Sequence, residues 1–388
     1  MLDVVLILVV VVAAVQGLRL GALMQVLTFG GFLAGLTLGT VLAVHVGHGM
    51  RAGAAKNGVT LLCVVGSAVV LGIVGRVLGS WSHGALERVH LGAVDGALGV
   101  GVAAVAALLS AWLLASVLAQ SPYPWLSSQI QRSDVLKAVD DVMPPAPGVF
   151  ADVQGLLAEP GFPSVFSGLA PTAAAPVPVP STASANALAA SGAASMVKVL
   201  GDACGYLQEG SGFVAAPGLV VTNAHVVAGE PSTQIQVDGG TYAATPVLYD
   251  PQFDLAVLRT SAPVGPPLRI DPTDVGRGTQ GAVLGYPENG PLTTTPAAVA
   301  ASLTAEGRDI YDEGDVVRRV YQIDADVKPG NSGGPMVVAG GTVVGVVFSR
   351  STEAAGVGYA LASPGVLRRV QQAEQRTAAV GTGACTDD

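Results

Sequence analysis

The chain has 388 residues, half of them hydrophobic and only 12% charged, and its net charge is −9. A charge content so far below the roughly 25% usual in soluble domains excludes a single water-soluble fold. The acidic balance argues against a nucleic-acid partner.

The charges are unevenly spread. Up to residue 120 they are Asp3, Arg19, Arg51, Lys56, Arg76, Glu87, Arg88 and Asp95, a net of +2, which leaves −11 for the rest. Within that first part four apolar stretches, about 2–18, 20–46, 59–79 and 91–119, approach or exceed the roughly 17–25 residues that a spanning helix needs. The first lacks a basic leader and further spans follow it, so it reads as a retained anchor rather than a signal peptide. Trp81, Tyr123 and Trp125 lie beyond span ends, where aromatic side chains favour the interface. Four spans put both chain ends on one side. Basic residues are too evenly divided between the connecting segments to say which side. Gly31, Gly35 and Gly39 recur every fourth residue, a spacing that suits close helix packing. Asp95 and Arg76 near span ends read as snorkelling groups or a mutual ion pair rather than a proton relay.

Residues 127–141 form an amphipathic, helix-like segment. Residues 144–181, rich in Pro, Ala and Ser and ending in Pro176-Val177-Pro178-Val179-Pro180, read as a semi-extended linker without a core and exposed to cleavage. The domain plan is therefore a four-helix membrane part over 1–120, an amphipathic segment and linker over 121–191, and a water-soluble domain over 192–388. From about residue 192, short β-branched runs alternate with Gly, Pro and Asp turns, predicting an all-β barrel or sandwich. One closing helix follows, with Ser363 as its cap, Pro364 at its first position and an end near Arg376.

Of the three cysteines, Cys63 falls inside the third span and reads as a buried apolar residue. Cys204 and Cys385 flank the β-domain. Either they form a disulfide that places the domain outside the cytoplasm, or they are two unrelated thiols. The lack of another partner for either favours the bridge, which would contribute about 4–5 kcal/mol in the chain-entropy view.

Three runs carry chemistry: Thr222-Asn223-Ala224-His225-Val226-Val227, Asp254-Leu255-Ala256-Val257-Leu258 and Gly330-Asn331-Ser332-Gly333-Gly334-Pro335. A serine hydroxyl is a weak nucleophile until a base takes its proton, and the base needs a carboxylate to hold its tautomer. His225 is the one histidine beyond residue 90. Alone it would read as structural, and Asp254 as a turn aspartate after Asp250-Pro251. The order His225…Asp254…Ser332 makes them candidate base, orienting acid and nucleophile. The N–H groups of Gly330 and Ser332 are the candidate oxyanion donors. No metal-ligand cluster accompanies His225, and no cofactor is expected.

These runs resemble the trypsin-like proteases of the HtrA/Deg type over about 195 residues. The resemblance implies a chymotrypsin-like fold of two six-stranded β-barrels, with His225 and Asp254 from the first and Ser332 from the second. No PDZ domain follows in this sequence. Asn331 stands where activated trypsins carry an aspartate that holds the new N-terminus, so activation by that ion pair is not expected. The front part resembles the colicin V production (CvpA) family. The combination resembles the MarP-type membrane-anchored acid-resistance serine proteases of mycobacteria and other actinobacteria. That resemblance implies a periplasmic catalytic domain, a Cys204–Cys385 disulfide, self-cleavage in or near the linker, and a role in acid and oxidative stress through envelope proteins such as peptidoglycan hydrolases. An acid role sits uneasily with a histidine that must be neutral to act as base.

Weaker features have two readings each. Asp326, six residues before Ser332, suggests a basic P1 preference, but the preferred reading is a loop residue paired with Lys328. Phe348-Ser349-Arg350 is either the substrate-pairing strand or a plain barrel strand. A different class of function also stands: a CvpA-like membrane scaffold or transporter with a non-catalytic regulatory β-domain.

Overall fold

Long helices form where the apolar runs lie. The computed structural model describes residues 2–47, 54–88, 92–118, 129–130, 132–140, 142–143, 165–166, 173–203, 205–237, 240–311, 315–351 and 354–386. The chain divides into two units, residues 1–158 with 168–172, and residues 159–167 with 173–388.

In the first unit, α1 (Leu2–Leu20), α2 (Ala22–Gly47), α3 (Ala54–Arg88) and α4 (Gly92–Leu118) contain four segments long and apolar enough to cross a membrane. The glycine repeat does what its spacing suggests. A Cβ at Gly31, Gly35 or Gly39 would collide with the carbonyl oxygens of Leu71, Ser67 and Cys63 on α3. Bare backbone thus lets α2 and α3 approach closely, which drives helix association where burial from water contributes nothing. Asp95 does not snorkel. It is buried and accepts the Leu23 N–H at the start of α2 at 3.2 Å. The free amides of a helix N-terminus favour that carboxylate. Trp81 is exposed, whereas Tyr123 and Trp125 lie outside the described residues.

The amphipathic segment contains a short helix, α5 (Asp134–Asp140). Ser133 Oγ donates to Asp3 at the start of α1, and Trp112 Nε1 near the end of α4 donates to Asp140 at 2.7 Å. Ile130 and Leu136 join Trp112 and Leu113 in one apolar cluster. These contacts gather the start of α1 and the end of α4 at one end of the bundle, as four antiparallel spans require.

In the second unit two antiparallel sheets close on themselves. The first barrel is β1 (Met196–Ala203), β2 (Tyr206–Ala216), β3 (Leu219–Thr222), β4 (Thr233–Val237), β5 (Gly240–Asp250) and β6 (Leu255–Thr260), in the order β1-β2-β3-β6-β5-β4. The second is β7 (Gln280–Gly285), β8 (Thr293–Arg308), β9 (Asp315–Asp324), β10 (Pro335–Val338), β11 (Thr342–Arg350) and β12 (Val357–Ala362), in the order β10-β11-β12-β9-β8-β7. Alternating apolar residues, mostly β-branched, fill each interior: Val199, Val214, Val220, Ile235 and Leu258 in the first, Val283, Val299, Ile323, Met336 and Val347 in the second.

The linker departs from expectation. Its last part is not free-standing. Ala174 N–H donates to Gln322 Oε1 at 3.0 Å and Val177 N–H to Asp324 Oδ2 at 2.6 Å, while Arg277 donates to the carbonyls of Ala175 and Pro176 and Gln280 to that of Pro178. The chain then enters α6 (Thr182–Ala189), capped by Ser181, whose Ala185 and Ala189 are buried. Composition gave no sign of this, because barrel side chains hold the strap by its backbone. The part of the linker before residue 173 lies largely outside the described residues, as does Cys204.

The closing helix α7 runs Ser363–Glu374, with Ala362 rather than Ser363 at the cap position. Ser363 is fully buried and its hydroxyl makes no hydrogen bond among the described residues. The strand β12 runs straight into the helix, so the serine falls in the first turn instead of before it.

The α2–α3 contact is tested by Gly35→Leu, which should lower the thermal midpoint of the detergent-solubilised chain by several degrees. Gly30→Leu, at a position with open space around it, should leave the midpoint unchanged.

Candidate active site

Both barrels contribute to the site. Asp254 sits just ahead of β6 with φ 62°, a left-handed conformation in which aspartate is tolerated better than most residues but which still costs about 1 kcal/mol. Its position is braced from two directions. Asn223 Nδ2 donates to the Asp254 carbonyl at 2.8 Å. From outside, Arg369 on α7 donates to Asp250 at 2.7 Å and lies 3.5 Å from the Phe253 ring centroid, while Asp250 accepts the Phe253 N–H at 2.9 Å. The helix therefore clamps the turn 250–254 that aims the carboxylate.

His225 opens a short 3₁₀ turn after β3. Its Nδ1 is 2.8 Å from Asp254 Oδ2 and 3.0 Å from Oδ1, and its backbone N–H donates to Oδ1 at 3.0 Å. Asp254 is fully buried and His225 is 6% exposed. A carboxylate with no water contact needs such donors, because a buried unpaired charge costs several kcal/mol. With Nδ1 engaged, Nε2 remains. It has no protein partner among the described residues, and neither has Ser332 Oγ, which is 2% exposed. The Nδ1–carboxylate contact is thus made, while the hydroxyl and Nε2 are left without bonds among the described residues; such contacts tighten in substrate complexes.

The serine loop is tied to the first barrel by Ser211 of β2. Its N–H donates to the Ser332 carbonyl at 2.8 Å, its hydroxyl donates to the Gly330 carbonyl at 2.6 Å, and it accepts the Tyr286 N–H at 2.9 Å. Gly330 adopts φ 88°, and a Cβ there would press on the Tyr286 carbonyl. The Pro329 carbonyl accepts the Glu288 N–H at 2.8 Å. That bond occupies the carbonyl of the peptide whose nitrogen is Gly330. The N–H groups of Gly330 and Ser332 donate to no protein acceptor among the described residues. Asn331 Oδ1 accepts the Lys328 N–H at 2.9 Å, so this side chain holds its own loop.

Asp326 is exposed, and no ion pair joins it to Lys328 among the described residues. The side chain packed against Gly358 is Val327. Phe348 and Ser349 on β11 are buried, Arg350 is half-buried, and the Arg318 guanidinium lies 5.6 Å from the Phe348 ring centroid. Sequence reasoning missed Ser211, Asn223, Phe253 and Arg369. Only Asn223, inside a quoted run, carried a signal. Ser211→Ala should cost about 1–3 kcal/mol in denaturant unfolding, since it strips partners from buried backbone groups of the serine loop.

Comparison with known proteins agrees with this geometry. The profile of the trypsin-like peptidase domain matches residues 210–346 and that of the colicin V production protein matches residues 2–144. The chain is 37% identical to serine protease Rv3671c of Mycobacterium tuberculosis, over 99% of this chain and 98% of that one. The crystal structure of the active form of the Rv3671c protease superposes with a TM-score of 0.54, covering 58% of this chain and all of that one. A probable periplasmic DegP-like serine endoprotease of Brucella suis is 36% identical over 42% of this chain and 32% of its own. Full-length likeness, a membrane part of four spans and a double barrel carrying these residues together make this chain a member of the Rv3671c (MarP) family of membrane-anchored, trypsin-like serine proteases.

Proposed function

We propose that Ser332 is the nucleophile, His225 the general base and Asp254 the group that orients it. The observation that carries this is the two-point hydrogen bond between His225 Nδ1 and the buried Asp254, which leaves Nε2 as the basic nitrogen. His225 takes the Ser332 proton as Oγ attacks a peptide carbonyl. The N–H groups of Gly330 and Ser332 hold the developing oxyanion. The imidazolium then protonates the leaving amine, and water hydrolyses the acyl-enzyme. Phe348-Ser349-Arg350 serves as the strand on which substrate pairs. With Asp326 exposed and Val327 against Gly358, a basic P1 side chain gains no buried carboxylate, and small apolar P1 residues are favoured.

The protease unit works outside the cytoplasm, with Cys204 and Cys385 bridged. Support for the bridge is that Cys385 is disulfide-bonded and Cys63 is a free cysteine in α3. Likeness to the acid-resistance proteases supports self-cleavage in the linker and action on envelope proteins, peptidoglycan hydrolases among them, under acid and oxidative stress. Mass analysis of the released fragment tests the first; a start beyond residue 180 would contradict it. Impermeant thiol labelling of reduced intact cells tests the orientation; labelling only after lysis would reverse it.

A fluorophosphonate should label the wild-type chain at one site and leave Ser332→Ala unlabelled. Absence of labelling in the wild type would favour a non-catalytic β-domain. Asp254→Asn should keep the fold but lower kcat by roughly 10⁴, as expected when the base is left in the wrong tautomer.

A further inference from the structure

Five residues after His225 stands a buried carboxyl that the chemistry above does not use. Glu230 is 6% exposed. Its Oε2 accepts the Thr233 hydroxyl at 2.5 Å, while its Oε1 is buried with no partner among the described residues. It rests directly on the backbone of Gly201 in β1, so closely that a Cβ there would overlap the carboxyl group. Among the described residues the charge that acts on it is Asp202 on β1, of like sign. The two aspartates that end the chain, Asp387 and Asp388, lie outside the described residues. Two oxygens, one donor and an adjacent negative charge suit a neutral acid better than a carboxylate.

Glu230 is also where the C-terminal tail lands. Thr382 Oγ1 donates to the Glu230 carbonyl at 2.9 Å, and the Thr382 carbonyl accepts the Gly229 N–H at 3.0 Å and the Tyr311 hydroxyl at 3.3 Å. Tyr311 and Tyr249 hydroxyls are 2.6 Å apart, and both rings pack on the cluster of Ala224, Ala228 and Ile310 that flanks His225. The Glu230 N–H donates to Val227 at the end of the 3₁₀ turn that His225 opens, at 3.3 Å. The tail and the histidine turn therefore meet at the main chain of the residue whose carboxyl is buried against Gly201 and Thr233.

We propose that Glu230 is a positioning residue of the protease that works in its protonated form, holding the C-terminal tail on the loop that carries His225. The inference rests on His225 being the base. Burial pushes the Glu230 carboxyl up to about 7, the Thr233 bond opposes this, and Asp202 adds to it. Folding thus takes up a proton at Glu230 over a range where a free glutamate is charged. The stabilisation is complete below the ordinary value of 4.5 and is lost as pH rises through about 7. Tail docking is tightest in mild acid. Any general base must be unprotonated to act, so the labelling rate also falls on the acid side.

The test uses the full-length chain in detergent. The rate of fluorophosphonate labelling at Ser332 and the hydrogen-exchange protection of the Gly229 amide are followed from pH 5 to 9. In the parent, labelling should fall on the alkaline side with a midpoint near 7, and Gly229 protection, corrected for intrinsic exchange, should drop at least about tenfold by pH 8. Glu230→Gln, whose amide keeps a donor and carries no charge, should lose both changes while keeping the acid limb. Asp202→Asn, at an exposed position, should move the alkaline midpoint to lower pH, and it serves if the Gln variant does not fold. An alkaline fall unchanged in Glu230→Gln, or unmoved in Asp202→Asn, would overturn the proposal although Ser332 still labels. Absence of labelling at every pH would take the protease reading and this inference down together.

Discussion

The arrangement depends on one buried negative charge. Asp254 has no exposure, and its carboxylate is held by the imidazole and the main-chain N–H of the same residue, His225. A charge in that position is tolerable only while those donors are in place, so the two residues fix each other. The aspartate's left-handed backbone adds strain that neighbours must hold. Asn223 does so from within the barrel, and α7 does so from outside through Arg369, Asp250 and Phe253. The last helix, which looks like an appendage, is therefore part of what aims the Asp254 carboxylate.

The same logic extends to the serine. His225 and Asp254 belong to the first barrel and Ser332 to the second, so the reaction proposed for them needs a fixed distance across the junction. Ser211 supplies it with three hydrogen bonds from one residue of β2, two to the serine loop and one to the Tyr286 amide after β7. A hydroxyl that donates to the serine loop and accepts from the end of β7 has no freedom left. Misplacement by an ångström costs orders of magnitude in rate. Small residues at this junction, Ser211 and the glycines of the serine loop, let the two backbones come near enough for those bonds.

What was legible in the sequence follows the range of the interactions. The spans, the close glycine packing and the all-β character of the second part rest on patterns repeated along the chain, a period of four, short β-branched runs between turns or a hydrophobic length; the pair of barrels followed only from the resemblance. His225, Asp254 and Ser332 stood in short runs whose neighbours are part of their geometry. Ser211, Arg369 and Glu230 stood in no pattern. Each acts through a contact more than a hundred residues away in the chain, Ser211 with Gly330, Arg369 with Asp250, Glu230 with Thr382. Ser363 shows the opposite failure: a local cap signal was present, and the strand running directly into the helix overrode it.

The strap over 173–180 shows why composition is a poor guide to where a domain begins. A Pro- and Ala-rich stretch offers little side chain to bury, so its composition is that of a linker. Its backbone carbonyls and amides are nonetheless full hydrogen-bonding groups, and Gln322, Asp324, Arg277 and Gln280 of the second barrel engage them one by one. Proline helps rather than hinders. Pro176, Pro178 and Pro180 narrow the conformations of the free chain, so less entropy is lost when the strap is laid down. Because proline lacks an N–H, the donors must come from the residues between, and Ala174 and Val177 provide them. A segment that cannot form a core can therefore belong to a fold through its backbone alone. The order it gains then depends chiefly on four polar side chains of the barrel, since of its own residues only Pro180 is buried.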